Sequence, residues 1–156
     1  MATLHSAEEI ASFFIEKANS QFIERDTPEG VSNLKLQKIL YFAQAAHLVL
    51  RGAPLFSEKI EAWQYGPVVP GVYRTYQEYA NKPIPEPRVK PSNFDEDLVE
   101  FLNNTWFIFG KFTAGQLVSM THEHKPWKDA WAREGSKNEI SPEALKEYYT
   151  GLIVAN

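Results

Sequence analysis

The sequence predicts a mainly α protein: one helical domain over residues 1–156, packed around a central apolar helix at about 33–51, with a short extended segment near 58–65. Three observations carry this. Apolar residues recur at helical spacing through most of the chain. One stretch, LKLQKILYFAQAAHLVLR, is apolar almost all round, as a helix at the centre of a bundle must be. Hydrophobic residues make up 44% of the 156 and aromatic residues 13%, enough for a packed core without disulfides or metals.

The elements follow in order. Ser6 and Glu9 have capping-box spacing, and Ile10, Phe13, Phe14, Ala18 and Phe22 then recur on one helix face. The turn DTPEG ends that helix through Pro28 and Gly30. Ser32 or Asn33 can cap the central helix, which stops at Gly52. Leu36, Ile39, Ala43, Ala46 and Leu50 form its wide apolar face, and Leu34, Tyr41, Ala45, Leu48 and Val49 cover much of the other side. Gln37, Gln44, His47 and Arg51 make one narrow polar stripe.

EKIEAWQY reads as a short extended segment closed by Tyr65-Gly66-Pro67, because Pro67 biases Gly66 away from helical angles. Pro70, at a first helical position, opens PGVYRTYQEY. The two pieces make a sharp extended-to-helix corner with aromatic residues on both arms. NKPIPEPRVKP, with four prolines in nine residues, is an extended, polyproline-like crossover. An apolar-periodic helix then runs from Asp95 to Phe109 and ends at Gly110. Thr113 and Gln116 form a capping box for AGQLVSMTH, Pro126 opens PWKDAWARE, and Ser141-Pro142 begins the last helix.

Composition excludes several classes. With no cysteine, thiol catalysis, disulfides and Cys-based zinc sites are absent. The start, MATLHSAEEI, is acidic where a signal peptide is basic, and the longest apolar run of the second half is WFIF, so the expectation is a cytoplasmic protein without a membrane span. A net charge of −4 argues against a nucleic-acid partner. Residues 1–30 nevertheless hold six acids against Lys17 and Arg25, whereas residues 31–51 hold Lys35, Lys38 and Arg51 and no acid. That pattern reads as an acidic, solvated first helix beside a central helix with basic edges, or else as a basic groove for an acidic partner.

No catalytic constellation emerges. In THEHKPW, His122 and His124 flank Glu123, but i, i+2 spacing does not put two ligands on one helix face. The stretch reads as a corner, with Thr121 and His122 ending one helix and Pro126 starting the next. His47 on the central helix reads as an inward-facing, satisfied histidine. The aromatic residues offer more. Trp127 and Trp131 are i, i+4 neighbours, and Tyr73, Tyr76 and Tyr79 lie three apart. Most belong to the core, Trp63 and Trp127 among them, and the rest are candidate anchors at a partner surface.

Three blocks carry a resemblance: LKLQKILYFAQAAHLVLRGAPLF, IEAWQYGPVVPGVYRTY and LVSMTHEHKPWKDA. In that order, across roughly residues 31–133, they resemble the signature of the Panacea antitoxin domain, the SocA-like or phage-associated GepA-like family. The matching positions are Leu36, Gln37, Lys38, Tyr41 and His47; Ala62, Trp63, Tyr65, Gly66, Pro67, Val68, Pro70 and Tyr73; then Thr121, His122, Pro126 and Trp127. Ala46 stands where many relatives have Gly. The resemblance implies a non-enzymatic antitoxin, without cofactor or metal, that neutralises a cognate toxin from a neighbouring gene by direct contact. One branch resembles a proteolytic adaptor, which makes a Clp-type protease a further implied partner. The alternatives are such an adaptor or a phage-associated regulatory protein without neutralisation, and, more remotely, a metal-dependent hydrolase using His47, His122 and His124. Candidate partner contacts are Arg74 and Tyr76 on the helix after the corner, with Tyr65 and Lys38.

Overall fold

A computed structural model of the chain describes residues 4–25, 30–90 and 93–154. Helix α1 spans Ala7–Arg25 and α2 spans Asn33–Arg51; strands β1 (Ile60–Trp63) and β2 (Gly66–Val68) lead into α3 (Pro70–Tyr76) and a 3-10 turn, Gln77–Tyr79. After the proline-rich crossover come α4 (Glu96–Phe109), α5 (Ala114–Glu123), α6 (Lys125–Ala132), β3 (Glu139–Ile140) and α7 (Pro142–Val154). The fold is mainly α, with a small antiparallel sheet in the order β2-β1-β3.

The helix ends obey the local chemistry. Ser6 Oγ accepts from the Glu9 N–H and Glu9 Oε1 from the Ser6 N–H, closing the first capping box. Ser32 caps α2 through the Lys35 N–H, and Gly52, at φ +72°, ends it. Asp95 caps α4, Thr113 and Gln116 form the box of α5, and Ser141 Oγ accepts from the Ala144 N–H in α7. The side chain of Phe22 and the helix-breaking Pro28 lie outside the described residues.

Helix α2 sits at the centre, against α1, α3, α4, α5, α7 and β2. Leu36, Ile39, Leu40, Tyr41 and Ala43 are wholly buried in it. Four details differ from the sequence reading. Leu50, assigned to the apolar face, is 58% exposed at the end of the helix. The first half of the polar stripe is buried, with Gln37 and Gln44 inside the protein. Gly66-Pro67 is not a bare corner but the start of β2, paired with β1 so that Trp63 faces Gly66 and Ala62 faces Pro67. β3, paired with β1 through Ile60–Ile140 and Glu61–Glu139, was not foreseen.

The crossover is irregular but tied down. Ile84 is fully buried and its N–H donates to the Val31 carbonyl, while Asn19 Nδ2 donates to the carbonyls of Ile84 and Pro85.

Candidate partner-binding site

The polar side chains of α2 hold the hairpin in place. Gln37 Nε2 donates to Asn33 Oδ1 at 2.9 Å, its Oε1 accepts from the Val69 N–H at 2.9 Å, and Asn33 Nδ2 donates to the Tyr73 carbonyl at 3.0 Å. Gln44 does the same for the segment after α2, donating to the Phe56 carbonyl and accepting from the Leu55 N–H at 2.7 Å. Each glutamine satisfies both its own buried amide and a loop backbone that has no ladder of its own.

Lys38 completes the clamp. Its side chain is fully buried, and Nζ donates to the Pro67 carbonyl at 2.9 Å. Burial pulls its pKa down from 10.5 to about 7. Gly66 makes room for it. A Cβ there would stand 2.6 Å from Lys38 Cε and 2.9 Å from Thr121 Oγ1, and the backbone φ of +108° already excludes most side chains. Signature positions from all three sequence blocks thus meet at one point: Lys38, Gly66, Pro67 and Thr121.

The hairpin carries the exposed chemistry. Alternation along β1 turns Ile60 and Ala62 into the core and Glu61 and Trp63 outward. Trp63 is therefore half-buried rather than core. Its indole N–H donates to Glu61 Oε1 at 2.9 Å, Tyr73 packs edge-on at 5.0 Å, and Lys137 Nζ stands 4.8 Å over its ring. Trp127 is buried, as expected, and its indole N–H donates to the Trp63 carbonyl at 2.9 Å. One ring face of Trp127 stacks on His122 at 4.1 Å, and Trp131 stacks on it at 5.4 Å with the planes 13° apart. This stack ends in solvent at Trp131, which is 48% exposed; Tyr65, at the hairpin tip, is 62% exposed.

Two of the four candidate contacts are corrected by burial. Tyr76 is fully buried, because the i, i+4 pair Val72 and Tyr76 is the inward face of α3, and its hydroxyl accepts from the Arg88 N–H at 2.9 Å. Lys38 faces the Pro67 carbonyl instead of solvent. Arg74 and Tyr65 are exposed. The loop after α6 was missed. Asn138 Nδ2 donates to the carbonyls of Ala130, Arg133 and Glu134, and with Gly135 and Lys137 at positive φ it fixes Lys137 above Trp63. Gly135 and Asn138 mark a turn in the sequence, but nothing there says onto which ring its lysine folds.

The histidines occupy three separate surroundings. His122 lies on Trp127, His124 Nδ1 bonds the Tyr149 hydroxyl at 2.8 Å, and His47 Nδ1 bonds the Ala53 carbonyl at 2.5 Å. Burial lowers the pKa of both His47 and His124. Tyr149 also shares a 2.9 Å bond with Tyr41, and burial raises both phenols. The three rings thus face different neighbours: Trp127, Tyr149 and the Ala53 carbonyl. Among the described residues no group of three His, Cys, Asp or Glu is placed to hold a metal ion. A cleft of about 490 Å³ between α6, β3 and α7 is lined by charged groups of both signs, among them Lys125 paired with Asp129, Arg133 bonded to the Glu139 carbonyl, and the carboxylates of Glu139 and Glu147. No described helix is long and apolar enough to cross a membrane.

Comparison with known proteins gives a consistent picture. The family model described as "Antitoxin SocA-like, Panacea domain" matches residues 36–128. The chain is 34% identical over 133 residues to Antitoxin SocA of Caulobacter vibrioides (strain NA1000 / CB15N), an alignment covering 78% of this chain and 68% of that protein. No solved structure matches.

Proposed function

Because the chain belongs to the SocA-like Panacea antitoxin family, we propose that it is an antitoxin that neutralises a cognate toxin by direct binding, through the aromatic face of Trp63, Tyr65 and Trp131. The observation that carries this reading is the half-exposed end of a rigid ring stack. Trp131 and Tyr65 stand in solvent, while the rings and backbone beneath them are fixed by Trp127, Tyr73 and the Lys38 clamp. Tryptophan and tyrosine on a preorganised support supply contact area at little entropic cost, and such residues dominate binding energy at protein interfaces. A stable complex needs roughly 1,200–2,000 Å² of total buried surface, and a face built from a hairpin, α3 and α6 can meet such a partner without refolding.

The protein acts in this reading as a binding module and not as an enzyme, and the toxin is the product of a neighbouring gene. The test is co-expression. The neighbouring product alone should arrest growth, and with this protein growth should recover and the two should purify together in fixed ratio. Recovery with no detectable complex would rule out direct neutralisation.

A further inference from the structure

We propose that the outer face of the sheet receives an arginine-bearing segment of the toxin, at a place that Lys137 holds in the free protein. The inference rests on the direct-binding reading above and names the chemistry of the partner. Its starting point is a charge conflict. Glu61 and Glu139 stand directly opposite each other across β1 and β3. The Ala62 N–H donates to the Asn138 carbonyl at 2.8 Å, so Ala62 and Asn138 form a hydrogen-bonded pair of the ladder. By alternation Glu61 and Glu139 are then the non-hydrogen-bonded pair, in which facing side chains come closest. Two carboxylates at such a position repel, and none of the ion pairs among the described residues engages either of them.

The nearby loop carries two cations, and both are otherwise occupied. Arg133 Nη2 donates to the Glu139 backbone carbonyl at 2.6 Å, leaving the carboxylate aside. Lys137 lies over the Trp63 ring at 4.8 Å, on a non-glycine residue with φ of +56° that the three Asn138 bonds hold in place. Backbone in the left-handed region is maintained only where the surroundings impose it. The outer face thus offers an indole ring already suited to a cation and, on the same face of the sheet, two carboxylates without an ion-pair partner among the described residues, of which Glu61 also accepts the Trp63 indole N–H.

Arginine fits this arrangement better than lysine. Its planar guanidinium stacks on an indole while its N–H groups reach carboxylates in a fork, whereas an ammonium is a compact, strongly hydrated charge. An acidic segment would meet Glu61 and Glu139 and be repelled. On binding, the guanidinium takes the Trp63 ring and bridges Glu61 and Glu139, and Lys137 moves off into solvent.

The test uses full-length protein and a labelled twelve-residue Gly/Ser peptide carrying three arginines, compared with the same peptide carrying three lysines or three glutamates. The readout is the NMR shift of the Trp63 indole N–H with titrated affinity. The arginine peptide should shift that signal and bind most tightly. Glu61→Gln with Glu139→Gln should weaken it by roughly tenfold or more, although removing the repulsion leaves the fold at least as stable. Lys137→Met should tighten it by vacating the ring. Equal binding to the glutamine variant, or no gain with Lys137→Met, overturns the inference. Co-purification separates it from the reading on which it rests. A toxin complex unweakened by the two glutamines sinks the arginine site and leaves direct binding standing. A neighbouring product that ignores the wild-type protein sinks direct binding, and the peptide titration still decides the arginine site.

Discussion

Lys38 is the residue whose environment departs furthest from what its type suggests. A lysine on a helix normally keeps its ammonium in water, and a basic edge on α2 was the natural reading of the sequence. The structure lays the Pro67 carbonyl across it and buries it completely. Its folded pKa of about 7 lies below the usual 10.5. Between those values the unfolded chain holds a proton that the folded chain has released, so folding stability rises with pH from about 7 towards 10.5. Below pH 7 the whole cost of burying the charge is present. Urea unfolding from pH 6 to 9 should show a gain of about 1 kcal/mol per unit above neutrality, and Lys38→Met should flatten it. An unchanged slope in the variant would mean that Lys38 is not the group responsible. Gly66→Ala tests the other half of the contact. With φ of +108° and Lys38 Cε 2.6 Å from the new Cβ, it should cost about 1–3 kcal/mol in the same assay. The tight corner at Gly66 was legible from its proline neighbour; the lysine passing beneath it was not, because that contact joins residues far apart in the chain.

Helices and strands were unequally readable. Ser6, Ser32, Asp95, Thr113 and Ser141 cap helices in the structure, and Gly52 and Pro70 stand at the ends their backbone chemistry favours. These signals are local, so the sequence contains them entire. β3 was invisible for the converse reason. Two residues, Glu139 and Ile140, are too short for alternation to register, and they are a strand only because β1 lies beside them. Tyr76 was misread similarly: α3 is polar enough to suggest an exposed face, but only its packing on α1 and α2 shows that the Val72–Tyr76 side turns inward. The α2 clamp yields a prediction of its own. Gln44→Leu keeps the volume but leaves the Leu55 N–H and the Phe56 carbonyl without their partner, so thermal and urea melts should show a loss of about 1–3 kcal/mol. Wild-type stability would show that the segment after α2 does not depend on this side chain.

For the whole molecule, the three signature blocks converge on one construction: α2 supplies a polar clamp, the hairpin is held on it, and the α5–α6 corner lays a ring stack alongside. The aromatic wealth of the sequence therefore divides by depth. Tyr41, Tyr76 and Trp127 belong to the support, while Trp131 and Tyr65 are left outside it. Truncating the outer pair should leave the melting transition within about 0.5 kcal/mol of wild type, as at ordinary surface positions. Truncating Trp127 should cost about 3–5 kcal/mol through loss of core. The most direct measurement of the central claim is the affinity of the neighbouring gene's product for wild-type protein and for the folded Tyr65→Ala, Trp131→Ala double variant. Direct neutralisation through this face requires a tight wild-type complex and a loss of at least about a hundredfold, some 2.7 kcal/mol, in a variant that melts like wild type. Equal affinity of the two proteins would contradict it.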